Sequence, residues 1–402
     1  MTKLSHNEKN NSKNILIGIS GGIAAYKIPL LVRLLKKQGH NVKIVITNAA
    51  KDLVGISALQ TLSENPVYTD IAGEYDMGHI RLEEWADLFI LAPATANSIA
   101  KMANGIADNL LSTTFLSLTC PKIVVPAMNT AMWENPAAIA NVKLLKERGI
   151  IVLPVGVGEL ACGQIGGGRM IEPSDIAEYV PLILENKNLL GKLAGKRVLI
   201  SSGATTEKID EVRSITNSSS GKMGAALARA AIFAGAELVV VSGEAKVKLP
   251  EGVEKIIKVE SALQMREAML NELPNADIVI MAAAVSDFRV ENAAEGKISR
   301  EDNENLTLNL VKNPDIAKEI GKKKRTGQKL IVFSLEIDGN YARAREKMER
   351  KGADLCIFNS AQNALGRDKS KIAIISRDEI MKFDEQEKII SAGKIIEVCG
   401  GI

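Results

Sequence analysis

Side chains capable of covalent or acid–base chemistry lie in two segments of the first half of the chain. Cys162 stands in ACGQIGGGRM, where four glycines surround one cysteine and one arginine. Because glycines give a cysteine side chain little to pack against, this composition favours a reactive thiol on a mobile flap over a buried core residue. His79, in DMGHIRLEEWADL, begins a predicted helix. A lone histidine there is more often structural than functional, and both interpretations stay open at this stage.

A pair of glycines follows the first predicted strand. NILIGIS runs into Ser20, Gly21 and Gly22 and then into a helix. Backbone N–H groups at such a turn can approach a phosphate, but the spacing is not GxGxxG, and a tight strand-to-helix turn needs glycine in any case. The next strands end in Thr47, in APATANSIAKMANGIADNLL and in PAMNTAMW. The long run of small polar residues could lie along a flat ring.

The second half of the chain contains a loop that suits an anionic ligand. It follows KRVLISSG, opens onto a helix and is dense in hydroxyl, amide and cationic groups; these belong to Thr205, Thr206, Arg213, Asn217 and Ser218 to Ser220. SSGKMG is not a P-loop, because Met223 follows Lys222 where a Walker A motif needs Ser or Thr. Lys347 and Lys351 share a helical face, which is either a solvated surface or part of an anion site.

The elements that must position these residues follow one pattern. An amphipathic helix repeatedly ends at a glycine, and a β-branched apolar strand follows at once. These glycines are Gly39, Gly149, Gly235 and Gly352. In the first helix, Ile28, Leu31, Val32 and Leu35 have the i, i+3, i+4, i+7 spacing of a face packed on a sheet. Alternating strands and helices predict an α/β fold with a mainly parallel sheet, which binds ligands at the carboxyl ends of its strands.

A polar, glycine-rich segment interrupts this alternation. After ENKNLLGKLAG, residues 185–195, the strand KRVLISSG begins the pattern again. The sequence therefore predicts two doubly wound, Rossmann-like or flavodoxin-like domains in series, residues 15–188 and 189–402, joined by a linker at 186–194 that few contacts cross. Residues 1–14 are polar and are predicted to be a disordered leader.

Composition excludes several classes of protein. Of the 402 residues, 46% are hydrophobic and 25% charged, as in a globular protein of two or three domains. No apolar run approaches the ~18 residues of a membrane span. The net charge of +3 and the pI of about 8.5 argue against a nucleic-acid partner, for which a pI above ~9 is expected. The four cysteines show neither metal nor disulfide spacing, which predicts a reducing, cytoplasmic location.

The first half resembles the flavin-dependent cysteine decarboxylases of coenzyme A biosynthesis. The resemblance rests on SGGIAAYK, GHIRLEEWAD, APATANSIAKMANGIADNLL, PAMNTAMW and ACGQIGGGRM, in this order. It implies that FMN oxidises a substrate cysteine thiol to a thioaldehyde, which gives the electrons of the departing carboxylate a place to go. It also implies His79 as base, Asn129 as the holder of the substrate carboxylate and Cys162 as proton donor. The implied FMN contacts are Ser20, Gly21, Gly22, Ile23, Thr47 and Ser98.

The second half resembles phosphopantothenate-cysteine ligase. The matching segments are TNSSSGKMG, AAAVSDF, EGKIS, KNPDI and FSLE. The resemblance implies that CTP, with Mg²⁺ or Mn²⁺, converts 4'-phosphopantothenate to an acyl-cytidylate that the cysteine amine attacks. Asn217 would hold this intermediate, Lys297 would assist its formation and Arg213 would bind substrate. The implied nucleotide contacts are Asp287, Asn313, Pro314, Asp315, Ile316, Phe333, Lys347 and Lys351.

Together the two resemblances cover residues 13 to 400 and imply a bifunctional enzyme of coenzyme A biosynthesis, with decarboxylase trimers linked by ligase dimers. The family segment commonly reads Lys-Ile-Lys-Lys, whereas Ser299 and Arg300 follow Lys297 here. Flavin prenyltransferases, peptide-cysteine decarboxylases and flavin-carrying regulatory subunits share the fold of the first half. None of them accounts for the second half. The sequence leaves the choice between CTP and ATP and the metal ligands open.

Overall fold

The structure is a computed structural model that describes residues 12–69, 78–159, 163, 165–186, 188–299, 305–336, 341–360 and 367–402. Two compact units divide the chain, Met1–Val180 and Pro181–Ile402. Residues 1–11 of the predicted leader lie outside the described residues, and Asn14 already begins the first strand. None of the helices that the structure describes combines the length and apolar character needed to cross a membrane.

The first unit alternates strands with helices as predicted. Its strands are β1 (Asn14–Ile19), β2 (Asn41–Ile46), β3 (Val67–Tyr68), β4 (Leu88–Ala94), β5 (Lys122–Pro126), β6 (Ile151–Val152), β7 (Gly156–Glu159) and β8 (Ile165–Arg169). Its helices are α1 (Ile28–Lys37), α2 (Ile56–Ser63), α3 (Gly78–Trp85), α4 (Ala96–Asn104), α5 (Leu110–Ser117), α6 (Thr130–Trp133) and α7 (Pro136–Glu147), followed by α8 (Pro173–Glu185), within which the unit ends.

Strand order places a binding crevice in this unit. The parallel sheet runs β3-β2-β1-β4-β5-β6, and β7 and β8 form a separate antiparallel hairpin. The chain thus moves outward from β1 to β3 and then returns to β4 on the other side of β1. In doubly wound sheets, ligands bind at such a switch point, outside the carboxyl ends of the two strands. Here these ends lead into Ser20 and Thr95.

The second unit repeats the same topology. Its strands are β9 (Arg197–Ser202), β10 (Thr206–Lys208), β11 (Ser214–Thr216), β12 (Glu237–Ser242), β13 (Lys255–Lys258), β14 (Ile278–Met281), β15 (Phe288–Val290), β16 (Leu310–Lys312), β17 (Lys329–Glu336), β18 (Leu355–Ser360), β19 (Lys369–Ser370), β20 (Ile372–Ile375), β21 (Ile380–Lys382) and β22 (Gln386–Glu387). Its helices are α9 (Lys222–Phe233), α10 (Ala262–Glu272), α11 (Ile316–Lys323), α12 (Tyr341–Arg350) and α13 (Lys388–Cys399).

Its main sheet runs β13-β12-β9-β14-β17-β18-β20-β21. The first six strands in this order are parallel to one another, and β20 and β21 extend the sheet in the antiparallel direction. The switch point lies between β9 and β14. The prediction of two doubly wound, mainly parallel sheets is confirmed.

The local signals behind that prediction are also confirmed. Gly39 and Gly149 follow helices with φ of +88° and +78°. A Cβ on either would meet nothing within 4 Å, so the left-handed backbone, and not lack of space, requires glycine there. In α1, the buried side chains are Ile28, Leu31, Val32 and Leu35, the face predicted to contact the sheet.

The segment after α8 differs from the linker expected at 186–194. The two units meet at Val180–Pro181, inside α8, eight residues before the predicted limit at residue 188. Asn186, Leu189 and Leu193 are 1%, 0% and 1% exposed. Leu193 N–H donates to the carbonyl oxygen of Ala234 at 2.8 Å. Polar and glycine residues gave the segment the composition of a linker, but two of its three leucines, Leu189 and Leu193, pack into the second unit.

Two fragments of the second unit are therefore expected to differ in stability. A fragment of residues 190–402, which the predicted boundary favours, lacks the buried side chains of Asn186 and Leu189. Removing a buried leucine side chain alone typically costs about 2–5 kcal/mol. The 181–402 fragment should unfold several degrees higher in a thermal melt. Equal melting temperatures would show that the first residues of this unit do not stabilise it.

Candidate functional site

A cavity of about 1300 Å³ opens at the switch point of the first unit. Its lining includes residues from each predicted cofactor segment of this unit: Gly21, Gly22, Ile23, Thr47, Ser98 and Asn129. The structure thus brings these residues together around one space. The volume exceeds the ~300–1,000 Å³ common for small-molecule sites and can hold a flat ring system with a phosphate tail.

The turn after β1 packs tightly against neighbouring residues and also borders the cavity. Ser20 is 1% exposed. Its hydroxyl donates to the carbonyl oxygen of Pro93 at 2.6 Å and accepts from Thr95 N–H at 3.0 Å, so it joins the two strands and does not line the cavity. A Cβ on Gly21 would lie 2.6 Å from the Cβ of Ala49. The turn needs this glycine for packing, and it also faces the cavity.

Thr47 supplies the clearest sign of a ligand. Its Oγ1 is buried, and among the described residues it has no hydrogen-bond partner. Buried hydroxyls are normally hydrogen-bonded, so this one suits a polar atom of a molecule in the cavity. Thr47 also precedes the 3-10 turn Asn48–Ala50, but its side chain does not cap that turn. The residues present therefore fit a flavin.

Two helices begin at the cavity. Thr95 Oγ1 caps α4 by accepting from Ser98 N–H at 3.3 Å, and Asn109 Oδ1 caps α5 by accepting from Ser112 N–H at 3.0 Å. The first N–H groups of a helix have no partner within it and carry the positive end of its dipole. The beginnings of α4 and α5 therefore favour an anion in the cavity.

The cationic side chains that line the cavity, Lys27, Lys101 and Arg169, each pair with a carboxylate. Glu172 accepts from Lys27 Nζ at 2.8 Å and also pairs with the guanidinium of Arg169, at the end of β8. Burial alone would raise the pKa of Glu172, but these two cations hold it below its ordinary value. Lys101 Nζ donates to Asp108 at 2.6 Å. The pair with Glu172 fixes the end of the β7–β8 hairpin beside the cavity.

Asn129 lies beside this hairpin. Its Oδ1 caps α6 by accepting from Met132 N–H at 2.8 Å, which leaves its amide N–H groups to face a ligand. The residues on either side of it bond to β8, because Met128 N–H donates to Gly168 O and Thr130 Oγ1 donates to Gly167 O, both at 2.9 Å. The hydrogen bonds on both sides hold Asn129 at the cavity.

The other two predicted catalytic residues of this half are placed differently. His79 lies in the first turn of α3, where the sequence predicts a helix start, and it is not part of the cavity lining among the described residues. Cys162 lies outside the described residues, as does most of the predicted flap before β8. Their roles rest on the resemblance.

In the second unit, hydrogen bonds bring Asn217, Asp287 and Asn313 together in the loops that follow β9 and β14. Asn217 Nδ2 donates to the carbonyl oxygens of Ala284 and Val285, at 3.3 and 3.1 Å, so its Oδ1 faces away from this loop. Asn313 N–H donates to Asp287 O at 2.8 Å. These bonds connect the segments TNSSSG, AAAVSDF and KNPDI, which are far apart in the sequence.

The lysines of α12 point to the same edge. Lys351 Nζ donates to Asp315 Oδ1 at 3.0 Å, and Lys347 Nζ donates to Ser334 Oγ at 3.5 Å, next to the predicted contact Phe333. Burial would raise the pKa of Asp315, but Lys351 and the first turn of α11 lower it below its ordinary value. Pro314 is half-buried before α11, and the buried side chain of Ile316 leaves only its backbone for a ligand.

Lys297 is exposed on the segment between β15 and β16, and Arg213 lies on the β10–β11 hairpin. Arg213 donates from its guanidinium to Asp210 and to the carbonyl oxygen of Ile298, at 2.8 and 2.6 Å. These two predicted site residues are thus neighbours through Ile298. No group of three or more His, Cys, Asp or Glu suited to a metal ion occurs within the described ranges.

Comparison with known proteins decides the family. Residues 3–183 match the family model for flavoproteins, and residues 193–400 match that of the DNA/pantothenate metabolism flavoprotein C-terminal domain. The coenzyme A biosynthesis bifunctional protein of Vibrio cholerae is 42% identical over 88% of this chain and 91% of its own length. This chain belongs to the family of bifunctional coenzyme A biosynthesis proteins. It is a bifunctional enzyme of coenzyme A biosynthesis, as the sequence predicts.

A second relative and two solved structures are also similar to this chain. The protein of the same name from Bacillus subtilis is 40% identical over 92% of this chain and 91% of its own length. Among solved structures, the C-terminal domain of such a bifunctional protein aligns with a TM-score of 0.46 at 33% identity, over 52% of this chain and 97% of that one. A PPC decarboxylase mutant complexed with pantothenoylaminoethenethiol aligns with a TM-score of 0.41 at 34% identity, over 44% of this chain and all of the other.

Sequence reasoning missed several residues that shape the two sites: Lys27, Thr95, Glu172 and Asp210. Two of these had a local signal. Glu172 lies three residues after Arg169, and Asp210 lies three residues before Arg213, a spacing at which opposite charges commonly pair. Lys27 had no such signal, because its partner Glu172 is distant in the sequence. Thr95 caps α4 locally, but its bond to Ser20 joins residues 75 apart.

The orphan hydroxyl of Thr47 leads to a test of flavin binding. Thr47→Val removes the hydroxyl, keeps the shape and breaks no cap, so the FMN dissociation constant of the apoenzyme should rise about two- to tenfold. Quenching of flavin fluorescence measures it. Thr61→Val, which removes a hydroxyl bonded within α2, is the matched control and should leave the constant unchanged. An unchanged constant in Thr47→Val would mean that the hydroxyl does not contact the flavin.

Proposed function

We propose that the first unit decarboxylates 4'-phosphopantothenoylcysteine to 4'-phosphopantetheine with FMN, and that the second makes this substrate from 4'-phosphopantothenate and cysteine with CTP. The observation that supports the proposal is the cavity at the switch point of the first sheet, which is lined by Gly21, Gly22, Ile23, Thr47, Ser98 and Asn129. The family membership supports the same pairing of activities. The subunit arrangement implied by the resemblance, trimers joined through dimers, stays a prediction.

In the first unit, the cavity residues would bind, orient and shield the substrate. When bound, FMN accepts two electrons from the substrate's cysteine side chain and later returns them. The amide N–H groups of Asn129 would hold the substrate carboxylate until it departs as carbon dioxide. His79 would remove a proton before that step, and Cys162 would give one to the enethiolate after it. The phosphate of FMN would lie near the beginnings of α4 and α5.

In the second unit, the phosphopantothenate carboxylate would attack the α-phosphate of CTP, which forms the acyl-cytidylate and releases pyrophosphate. Lys297 would stabilise the charge that develops on the phosphate. Asn217 would hold the acyl-cytidylate through its outward Oδ1 while the cysteine amine displaces CMP. Lys347, Lys351 and the beginning of α11 would contact the nucleotide. Mg²⁺ or Mn²⁺ would be held chiefly by the phosphates, as is usual at nucleotide sites, and we assign it no protein ligand.

Purified full-length enzyme tests both halves. We expect it to be yellow with bound flavin, to release pyrophosphate from CTP only when phosphopantothenate is present, and to form phosphopantetheine and carbon dioxide once cysteine is added. A parallel reaction with ATP measures the nucleotide preference. Colourless protein that still decarboxylates would exclude flavin, and an absence of nucleotide-dependent pyrophosphate release would exclude the ligase.

A further inference from the structure

The carboxylate of Asp210, in the second unit's candidate site, accepts hydrogen bonds through both of its oxygens. Its side chain is 0% exposed, in the loop of the β10–β11 hairpin. Oδ1 accepts from the N–H groups of Val212 and Arg213 at 2.8 and 2.7 Å, and Oδ2 accepts from Arg213 Nε at 2.9 Å. A buried carboxylate is tolerated only when it is satisfied in this way.

The same carboxylate reaches the segment that carries Lys297. Asp210 Oδ2 accepts from Ile298 N–H at 3.2 Å, while Arg213 donates to Ile298 O at 2.6 Å. Ala294 N–H donates to Ile209 O at 3.0 Å. Both backbone polar groups of Ile298 are therefore bound by one ion pair, and Lys297 is the preceding residue.

The charge state of this pair is fixed. Burial would raise the pKa of Asp210, but the N–H groups of Val212, Arg213 and Ile298, together with the Arg213 guanidinium, lower it to about 2. Asp210 is thus ionised at any working pH. The hairpin is already held together by the hydrogen bonds between β10 and β11. The additional bonds to Ile298 therefore attach the segment that carries Lys297 to the hairpin.

We propose that Asp210 is a positioning residue of the ligase, which holds the backbone at Ile298 so that the Lys297 ammonium meets the reacting phosphate. The proposal rests on the role of Lys297 given under Proposed function. A flexible lysine on an exposed segment samples many positions, and fixing its backbone limits them. Displacements of about 1 Å can lower a rate about 10²-fold. Arg213 takes part through its bond to Ile298 O.

The test is a double-mutant cycle in the full-length enzyme. Asp210→Asn, Lys297→Gln and the double variant are compared by pyrophosphate release in a single turnover with saturating CTP and phosphopantothenate and without cysteine. Asp210→Asn sets an amide against N–H donors and should slow release about 10- to 100-fold. If Asp210 acts through Lys297, the double variant should be no slower than Lys297→Gln alone. A purely structural residue would give losses that multiply.

Controls separate the outcomes. In Asp210→Asn, decarboxylation by the first unit of the same chain should be unchanged. Asp277, at the opposite end of this sheet, also binds a backbone N–H and an arginine, and Asp277→Asn should leave pyrophosphate release unchanged. If Asp210→Asn does not fold, Arg213→Lys at saturating phosphopantothenate should still slow release. Amide hydrogen exchange at Ile298 should rise in either variant.

Multiplying losses, or a wild-type rate in Asp210→Asn, would overturn the positioning role and leave the proposed ligase intact. A wild-type rate in Lys297→Gln would overturn both the role of Lys297 and the inference. An absence of nucleotide-dependent release in the wild-type enzyme would instead refute the proposed function. The three failures are therefore distinguishable.

Discussion

Replacement of Cys162 by serine is expected to stop decarboxylase turnover after carbon dioxide has left and before phosphopantetheine forms. A serine hydroxyl is far less acidic than a thiol, whose ordinary pKa is about 8.5, and cannot readily protonate the enethiolate. The decarboxylated enethiol, which lacks two hydrogens of phosphopantetheine, should accumulate. Mass analysis of quenched reactions detects it, and carbon dioxide release in a single turnover should stay near the wild-type amount.

Cys120→Ser is the matched control, because Cys120 is half-buried just before β5 begins and burial raises its pKa to about 11. It should turn over normally. His79→Asn should fail earlier, with no carbon dioxide released. Normal phosphopantetheine formation by Cys162→Ser would remove the thiol from the mechanism, and wild-type rates in His79→Asn would leave that histidine with a structural role.

Lys297→Gln and Asn217→Asp should fail at different steps of the ligase reaction. Glutamine keeps the size and hydrogen bonding of the lysine but removes the charge that stabilises the reacting phosphate, so pyrophosphate release should fall ~10²-fold or more, with or without cysteine. In Asn217→Asp, a carboxylate would face an anionic intermediate. The variant would also lack the amide N–H groups that donate to the carbonyl oxygens of Ala284 and Val285. Pyrophosphate release should persist while peptide bond formation drops.

Quenched single turnovers analysed by mass for the acyl-cytidylate separate the two steps. Two control variants repeat these changes in charge away from the site. Lys255→Gln lies on the edge strand β13 and Asn271→Asp lies exposed on α10, and neither should change pyrophosphate release or peptide bond formation. Equal loss of both steps in both variants would refute the division of roles.

The fold could be predicted because its signals are local. A helix stop such as Gly39 needs only its own backbone conformation, and the buried face of α1 follows from spacing alone. The alternation of helices and strands occurs in both halves of the chain, and this was enough to predict two parallel sheets. The strand order, which creates each switch point, depends on long-range pairing that no local pattern encodes.

Much of the candidate site could also be placed in advance, because its residues follow strands and parallel strands end at one edge. Thr47 and Asn129 follow strands of the parallel sheet, and both line the cavity as expected. What the sequence missed depends on partners brought together by folding. The hydroxyl of Ser20 is used by Pro93 and Thr95, and Leu189 in an apparent linker is buried. Glycines and polar residues around it masked that burial.

Attraction for an anion at the beginnings of α4 and α5 comes from backbone N–H groups, whose charge distribution does not titrate. The cationic side chains at the cavity, Lys27, Lys101 and Arg169, are each engaged with a carboxylate. Retention of a phosphate-bearing ligand should then follow the ligand's own second ionisation, near pH 6 for a phosphate monoester. A histidine-based anion site discharges as the solution becomes alkaline. The backbone N–H groups at this cavity keep their attraction for an anion as the pH rises.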